Sequence, residues 1–277
     1  MDVIPISSRE LQPNGNQIRD GVIQSYRLLE GEAGPGNFSM RLVNIAGRFF
    51  SPRHRHNFDQ IRFQLAGEFD YDADGKLSAG CAGYFPEGVR YGPQTSDGDT
   101  WNLLLQFGGA SGSGYMPEAD EDRGAAELKA RGGRFEKGVY TWYRDDGTKV
   151  NQDAYEAIWE QVHGRPLQYP AARYQRPVMI NSAHFDWRPD PTQPGVAHRL
   201  LGIFSEGMTK LSLIRIEAGN SLALEANSVW FVIKGDGVAG TQRYQAKTSL
   251  RTHRQETDAK INAESETEML QIRLPRI

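Results

Sequence analysis

Two histidines one residue apart mark the part of this chain with the most chemistry to offer, the stretch SPRHRHNFDQIRFQLAGEF; a second stretch, GCAGYFPEGVRYGPQ, follows a short way downstream. In an extended segment alternate side chains share a face, so His54 and His56 project together and Gln60, of the same parity, joins them. Two imidazoles suit a transition metal without identifying it. A glutamine beside them would add a neutral oxygen and leave most of the cation's charge to be met by the substrate, which favours an anionic substrate and a loosely held metal. The plainer alternatives are two surface histidines in an arginine-rich loop and a hydrogen-bonding core glutamine.

Tyr91, three residues past Gly88, brings a phenol of ordinary pKa about 10, which ligates a cation only when ionised. Kept protonated it can serve as an acid, a base or an oxyanion donor, the role expected here, with a space-filling phenol as the alternative. Arg62 and Gln64 share the parity of Gln60, and Asn102 and Gln106 alternate with the apolar residues of WNLLLQF. If both sets face one lumen, that lumen is polar. A guanidinium inside a small barrel needs a partner, and a substrate carboxylate would supply it; the alternative partners are Glu68 and Asp70 at the mouth.

In order, the first stretch reads HxH, three residues, Gln60, six residues, Gly67; the second reads Gly80, five residues, Pro86, Glu87, Gly88, two residues, Tyr91. This pattern resembles the two signature motifs of the cupin superfamily, with Gly47 one residue further out than the family's opening glycine. Glutamine stands where the family usually has glutamate, as in some cupin lyases, and Tyr91 stands where the last histidine ligand belongs. The resemblance implies a jelly-roll barrel, metal ligation by His54, His56 and Gln60, a divalent transition metal (Fe, Mn, Ni or Zn, not distinguished), and oxygenase or lyase chemistry on a small oxygenated acid. Tyr91 and Arg62 would be the catalytic pair, with Arg62, Gln64, Asn102 and Gln106 holding substrate. A metal-free module that binds or senses a small anionic metabolite is the rival.

Composition narrows the class. The chain has 277 residues, 30 glycines, 14 prolines, a formal net charge of −3 and one cysteine, Cys81. Glycine, proline and short alternating runs favour a turn-rich β protein. Scattered basic residues leave no footprint for nucleic acid. The single cysteine rules out an internal disulfide, and neither a signal peptide nor a bilayer-length apolar run is present, so a cytoplasmic protein with no membrane partner is expected. A small-molecule substrate is the expected partner, with a homodimer left open.

Along the chain, strand patterns fill residues 21–115, with a break at GGASGSG. Residues 116–176 change character: RGAAELKARGG and NQDAYEAIWEQVHG read as helices, the second capped by Asn151 or Asp153, carrying an Ala154, Ile158, Val162 stripe and ended by Gly164. Strand patterns return over 177–277. There the first motif recurs in outline, with Gly235 at the Gly67 position but Leu222, Leu224 and Ser228 where the ligands would stand. The expectation is an all-β bicupin: an N-terminal barrel over 21–115 with the site, a partly helical connector over 116–176, and a C-terminal barrel over 177–277 that has lost its ligands.

Overall fold

Alternating inward residues pair Thr100–Phe107 antiparallel with Phe38–Ser51 on one side and Asp59–Ala66 on the other. The register sets polar residues in rows across three strands. Gln106 lies between Ser39 and Gln60, Leu104 between Arg41 and Arg62, and Asn102 between Val43 and Gln64. The computed structural model describes residues 1–13, 20–34 and 36–276. These form two units, one of residues 11–25 and 30–179, the other of residues 1–10, 26–29 and 180–277. The expected connector thus belongs to the unit that holds the motif residues.

In that first unit the strand order is Cys81–Phe85, Asp59–Ala66, Thr100–Phe107, Phe38–Ser51, Gln94–Ser96, Glu68–Asp72, Gly75–Ser78. Each connection is antiparallel, as expected of a jelly-roll barrel. Val43, Ile45, Phe49 and Phe69 form an apolar cluster among these strands. The HxH segment departs from the sequence expectation. His54 and His56 are not in a regular strand; Phe38–Ser51 ends just before Pro52, and the next strand starts at Asp59. Proline has no N–H to give a ladder, so pairing stops there. The two histidines instead sit in an irregular crossing, tied to the second motif by an isolated antiparallel bridge between His54 and Tyr91.

Helix α1 (Glu118–Ala130) starts earlier than RGAAELKARGG, with Glu118, Asp120 and Glu121 in its first turn, where carboxylates favour the helix dipole. Helix α2 (Ala154–His163) follows the expectation closely. Asp153 caps it by accepting from Glu156 N, and Gly164 ends it in the left-handed conformation at φ 65°. Between them YTWYRDDG and its flanks form a three-stranded sheet of Arg134–Glu136, Val139–Tyr143 and Lys149–Asp153, unrecognised in the sequence. Ala125, Leu128, Tyr140, Tyr155, Ile158 and Trp159 pack with Phe58 and Tyr115 in one core.

The second unit has a seven-stranded and a four-stranded sheet. Its core holds Leu222, Leu224, Trp230, Val232, Leu250, Ile261 and Met269. Leu222 and Leu224 thus contribute apolar packing at the positions aligned with the histidines, each buried side chain adding roughly 1.5–3 kcal/mol. Ser228 is fully buried, with its hydroxyl on the Ala226 carbonyl. Among the described residues of the whole chain, no helix is long and apolar enough to cross a membrane.

Candidate active site

The bridge between the two motifs fixes the site before any side chain acts. His54 N donates to Tyr91 O and Tyr91 N donates to His54 O, both at 3.0 Å, and Gly88 N donates to His56 O at 2.8 Å. Gly88 is in the left-handed region at φ 77°, and a Cβ there would collide with the Pro170 carbonyl, so the turn requires glycine. The two crossings are thereby held side by side, and His54, His56, Gln60 and Tyr91 meet.

Hydrogen bonding assigns their protons. His54 Nδ1 lies 2.6 Å from the Pro52 carbonyl, which can only accept, so Nδ1 carries hydrogen and the lone pair is on Nε2. Arg62 Nη2 donates to Gln60 Oε1 at 3.1 Å. That contact turns the amide's Nε2 toward Tyr91 Oη at 2.9 Å and His56 Nδ1 at 2.7 Å. Tyr91 Oη is itself 2.9 Å from His56 Nδ1. Since Nε2 of Gln60 can only donate, His56 Nδ1 accepts and the neutral ring carries its proton on Nε2.

Aromatic packing holds the rings in place. His56 stacks on Phe58 at 4.5 Å between centroids and meets Tyr155 edge-on at 5.3 Å. Tyr155, from the first turn of α2, also donates from Oη to Asn57 Oδ1 at 2.9 Å. Burial raises the Tyr155 and Tyr115 phenols well above their usual range, with nearby Glu121 adding to both, so these two stay protonated. The Arg62 guanidinium lies 4.6 Å from the Phe85 ring centroid, 5.5 Å from that of Phe69 and 5.8 Å from that of Tyr91. Glu68 and Asp70, the alternative partners weighed for it, bind Lys76 and Thr95.

His54, His56, Gln60 and Arg62 line a cavity of about 420 Å³, whereas Tyr91, 1% exposed, lies behind them and does not reach it. Val43, Ile45, Phe49, Phe58, Phe69 and Leu104 form its apolar wall, and Arg41, Asn102, Gln106, Tyr115 and Glu118 also face it. Arg41 is buried and its Nη2 donates to Glu118 Oε2 at 2.7 Å, which anchors α1 at the cavity. Gln106 accepts from Tyr115 Oη at 3.0 Å. Of the residues expected to hold substrate, Arg62, Asn102 and Gln106 line the cavity. Gln64 does not: it continues the same face one step further, where its amide donates to Ala66 O and to Thr100 Oγ1.

Sequence reasoning missed Arg41, Ser51, Gln94, Phe58 and Tyr155 at this cavity. Arg41 was legible in principle, since it has the inward parity of Val43 and Ile45. Gln94 stands three residues past Tyr91 in a strand of three residues, too short to read as a pattern.

A divalent metal is what the fold family implies for such a site. A ring centroid lies about 3.2 Å from an ion bound at about 2.1 Å, so two imidazoles on one ion at near-right angles have centroids roughly 4.5–5 Å apart. The His54 and His56 centroids are 4.9 Å apart with their planes at 77°. The spacing of the two rings admits an ion, and His54 has the tautomer a ligand needs, whereas His56 would have to release the hydrogen bonds at its Nδ1 or the proton on its Nε2 to join it. A cation on the Gln60 oxygen would sit beside the Arg62 guanidinium already bonded to that atom, so the two positive charges compete for it by repulsion. Among the described residues no group of three or more His, Cys, Asp or Glu side chains could hold a metal. Any ion at this site therefore depends on the amide or the phenol as well as the imidazoles.

Comparison with known proteins adds the fold context. No protein-family model and no curated protein sequence matches the chain. Solved structures do match. An unconfirmed dioxygenase from Nostoc punctiforme PCC 73102 aligns with a TM-score of 0.65 at 11% identity, covering 99% of this chain and 83% of that one. Streptomyces albus HEPD, solved with 2-hydroxyethylphosphonate and Fe(II) bound, aligns with a TM-score of 0.56 at 12% identity, covering 99% and 76%. Oxalate decarboxylase from Bacillus subtilis aligns with a TM-score of 0.55 at 10% identity, with the same coverage. At such identities the likeness speaks for the fold alone, and with the all-β architecture it shows that this chain has the bicupin fold.

Proposed function

We propose that this chain is a cupin-type enzyme that holds a divalent transition metal at His54 and His56, with Gln60 as an exchangeable third ligand, and acts on a small oxygenated acid by dioxygenase or lyase chemistry. The observation that carries the reading is the convergence of His54, His56, Gln60 and Arg62 on one cavity, with the buried Tyr91 hydroxyl bonded to His56 and Gln60 behind them. Structural neighbours that include an Fe(II)-bound enzyme and a decarboxylase support the reaction classes.

When bound, a divalent ion supplies Lewis acidity or, if redox-active, a centre for oxygen chemistry. The chain supplies the rest. Arg62 offers a fork to a carboxylate, with Phe69 and Phe85 beside it to exclude water. Tyr91 Oη, buried behind the lining and in contact with His56 and Gln60, holds a proton that reaches a substrate by way of His56. His54 is oriented by the Pro52 carbonyl.

Protein purified without chelators or affinity resin should carry about one divalent ion per chain, as expected when one barrel keeps ligands. His54→Ala combined with His56→Ala should carry none. Full retention of metal by that double variant would overturn the assignment. A metal-free module for a small anion is the second reading, favoured by the bond from Arg62 to Gln60 Oε1. It would show as carboxylate binding with no metal in either protein.

A further inference from the structure

Gln60, Gln106 and Asn102 all turn an amide toward the cavity, but the three amides are not alike. Gln60 and Gln106 have their oxygens engaged, one by Arg62 Nη2 at 3.1 Å and the other by Tyr115 Oη at 3.0 Å. Asn102 is 5% exposed, yet neither its Oδ1 nor its Nδ2 has a hydrogen-bond partner among the described residues. Neither atom is sealed in the core, so both open on the cavity that the residue lines. An unmet buried amide costs free energy, and folded proteins almost always satisfy such groups or use them. A leucine has nearly the same shape and would fill this wall, beside Val43 and Leu104, without that cost.

The register sets Asn102 within a short ligand's length of Arg62. Arg62 lies opposite Leu104, and Asn102 is two residues along the same strand, so the two are diagonal neighbours on one sheet face, about 7–8 Å apart. We infer that Asn102 reads a second polar group on the ligand, and that the cavity selects small acids carrying a carboxamide. The ligand's amide carbonyl accepts from Nδ2 and its N–H donates to Oδ1, a match that holds whichever way the Asn102 amide is turned. This rests on the reading of the cavity as the substrate site, with Arg62 taking the carboxylate. Arg62 supplies attraction for any carboxylate, whereas Asn102 supplies discrimination. A ketone can only accept and leaves Oδ1 unmet, and an alkyl group leaves both edges unmet.

The test is a cycle of variant against analogue, with binding measured by calorimetry. Succinamate is compared with 4-oxopentanoate, and glutaramate with 5-oxohexanoate; within each pair a methyl group replaces the amide nitrogen. The wild-type protein should prefer the amide of at least one pair by about 5- to 10-fold, the range of one neutral hydrogen bond. Asn102→Leu keeps the volume and should erase or reverse that preference, while pentanoate binds at least as tightly as before. Contact of a ligand with a metal does not pass through Asn102, so it is common to both proteins and cancels from the cycle. A hydroxyl meets one edge of Asn102 at a time, so 4-hydroxypentanoate should bind less tightly than succinamate; the reverse order would overturn the carboxamide. Arg62→Met should weaken all the acids together.

Stability gives a second readout. Removal of an amide that bonds to no other described residue should leave the thermal midpoint of ligand-free Asn102→Leu unchanged or raised. A marked fall would assign the amide a structural role and overturn the inference. So would an amide preference that survives intact in Asn102→Leu. If the wild type binds amide, oxo and alkyl acids alike and Arg62→Met weakens them together, the carboxylate site stands and this inference alone fails. If the wild type binds none of the acids at millimolar concentration, the reading of the cavity as a carboxylate site fails first, and the inference fails with it.

Discussion

Arg62 controls Gln60. Its Nη2 donates to the amide oxygen at 3.1 Å, and this one contact decides which way the amide faces, which nitrogen of His56 carries a proton, and whether the Gln60 oxygen is available to a cation. A carboxylate that draws the guanidinium away would free that oxygen. Binding of an anion and binding of a metal are then linked, each strengthening the other by the same factor.

Arg62→Met separates the two effects. It removes the competitor for the Gln60 oxygen, so divalent metal affinity should rise, while loss of the charged fork should weaken a carboxylate ligand by roughly 2–5 kcal/mol. Metal titration in the presence and absence of a saturating acid measures both. In the wild type the acid should tighten metal binding, and in Arg62→Met it should no longer do so. A metal affinity that falls in the variant would refute the competition.

Tyr91→Phe keeps the ring, which packs 4.6 Å from His54 and 4.8 Å from Phe85 between centroids, and deletes only the hydroxyl. Metal content should be retained and turnover should drop on the order of 10²–10⁴-fold, the contribution of a general acid or base. If the phenol instead ligates iron, the oxidised wild type will show a charge-transfer colour that the variant loses together with its metal. Unchanged turnover would remove Tyr91 from the chemistry.

On the far side of the Gln60 strand, burial lifts the Asp59 carboxyl to about 6, while hydrogen bonds from Glu87 N and Tyr84 Oη hold it down in part. Folding therefore tightens the proton on a group whose ordinary value is 3.8. The stability this proton contributes is complete below about pH 3.8 and is lost as pH rises through about 6. Asp59→Asn removes the titration, so its stability relative to wild type should improve between pH 4 and pH 7.5 by roughly 1–3 kcal/mol. Urea unfolding at the two pH values checks this, and a difference that stays constant or reverses would contradict it.

Leu222 occupies, in the second unit, the place aligned with His54 and is 1% exposed in an apolar core. Leu222→Ala should cost about 2–5 kcal/mol of unfolding free energy through lost burial and the cavity left behind. Metal content in the folded protein should stay at the wild-type level. A matching loss of metal would place ligands in the wrong unit.

The motif spacing made the site legible because each glycine and each inward residue answers a local backbone demand, as at Gly88, where the turn excludes a side chain. Strand parity placed Gln60, Arg62, Asn102 and Gln106 on one face for the same reason. Parity failed at His54 and His56, which converge although no regular strand carries them; a long-range backbone bridge does that work, and no local pattern encodes it. It also misjudged Gln64, where the face is right but the cavity has ended. Tyr155 and Gln94 were hidden differently, one on a helix far along the chain and the other in a strand too brief to show a period.

The paired N–H···O bonds between His54 and Tyr91 bear on how the site breathes. Neither motif can swing away from the other without breaking both bonds, so the two amides should exchange with deuterated solvent in step, through one shared opening rather than by separate fraying. Their common exchange rate is then a direct clock for access to the centre. A metal or acid that settles there should slow both amides by the same factor, and it should do so without displacing the backbone, since the frame is already closed.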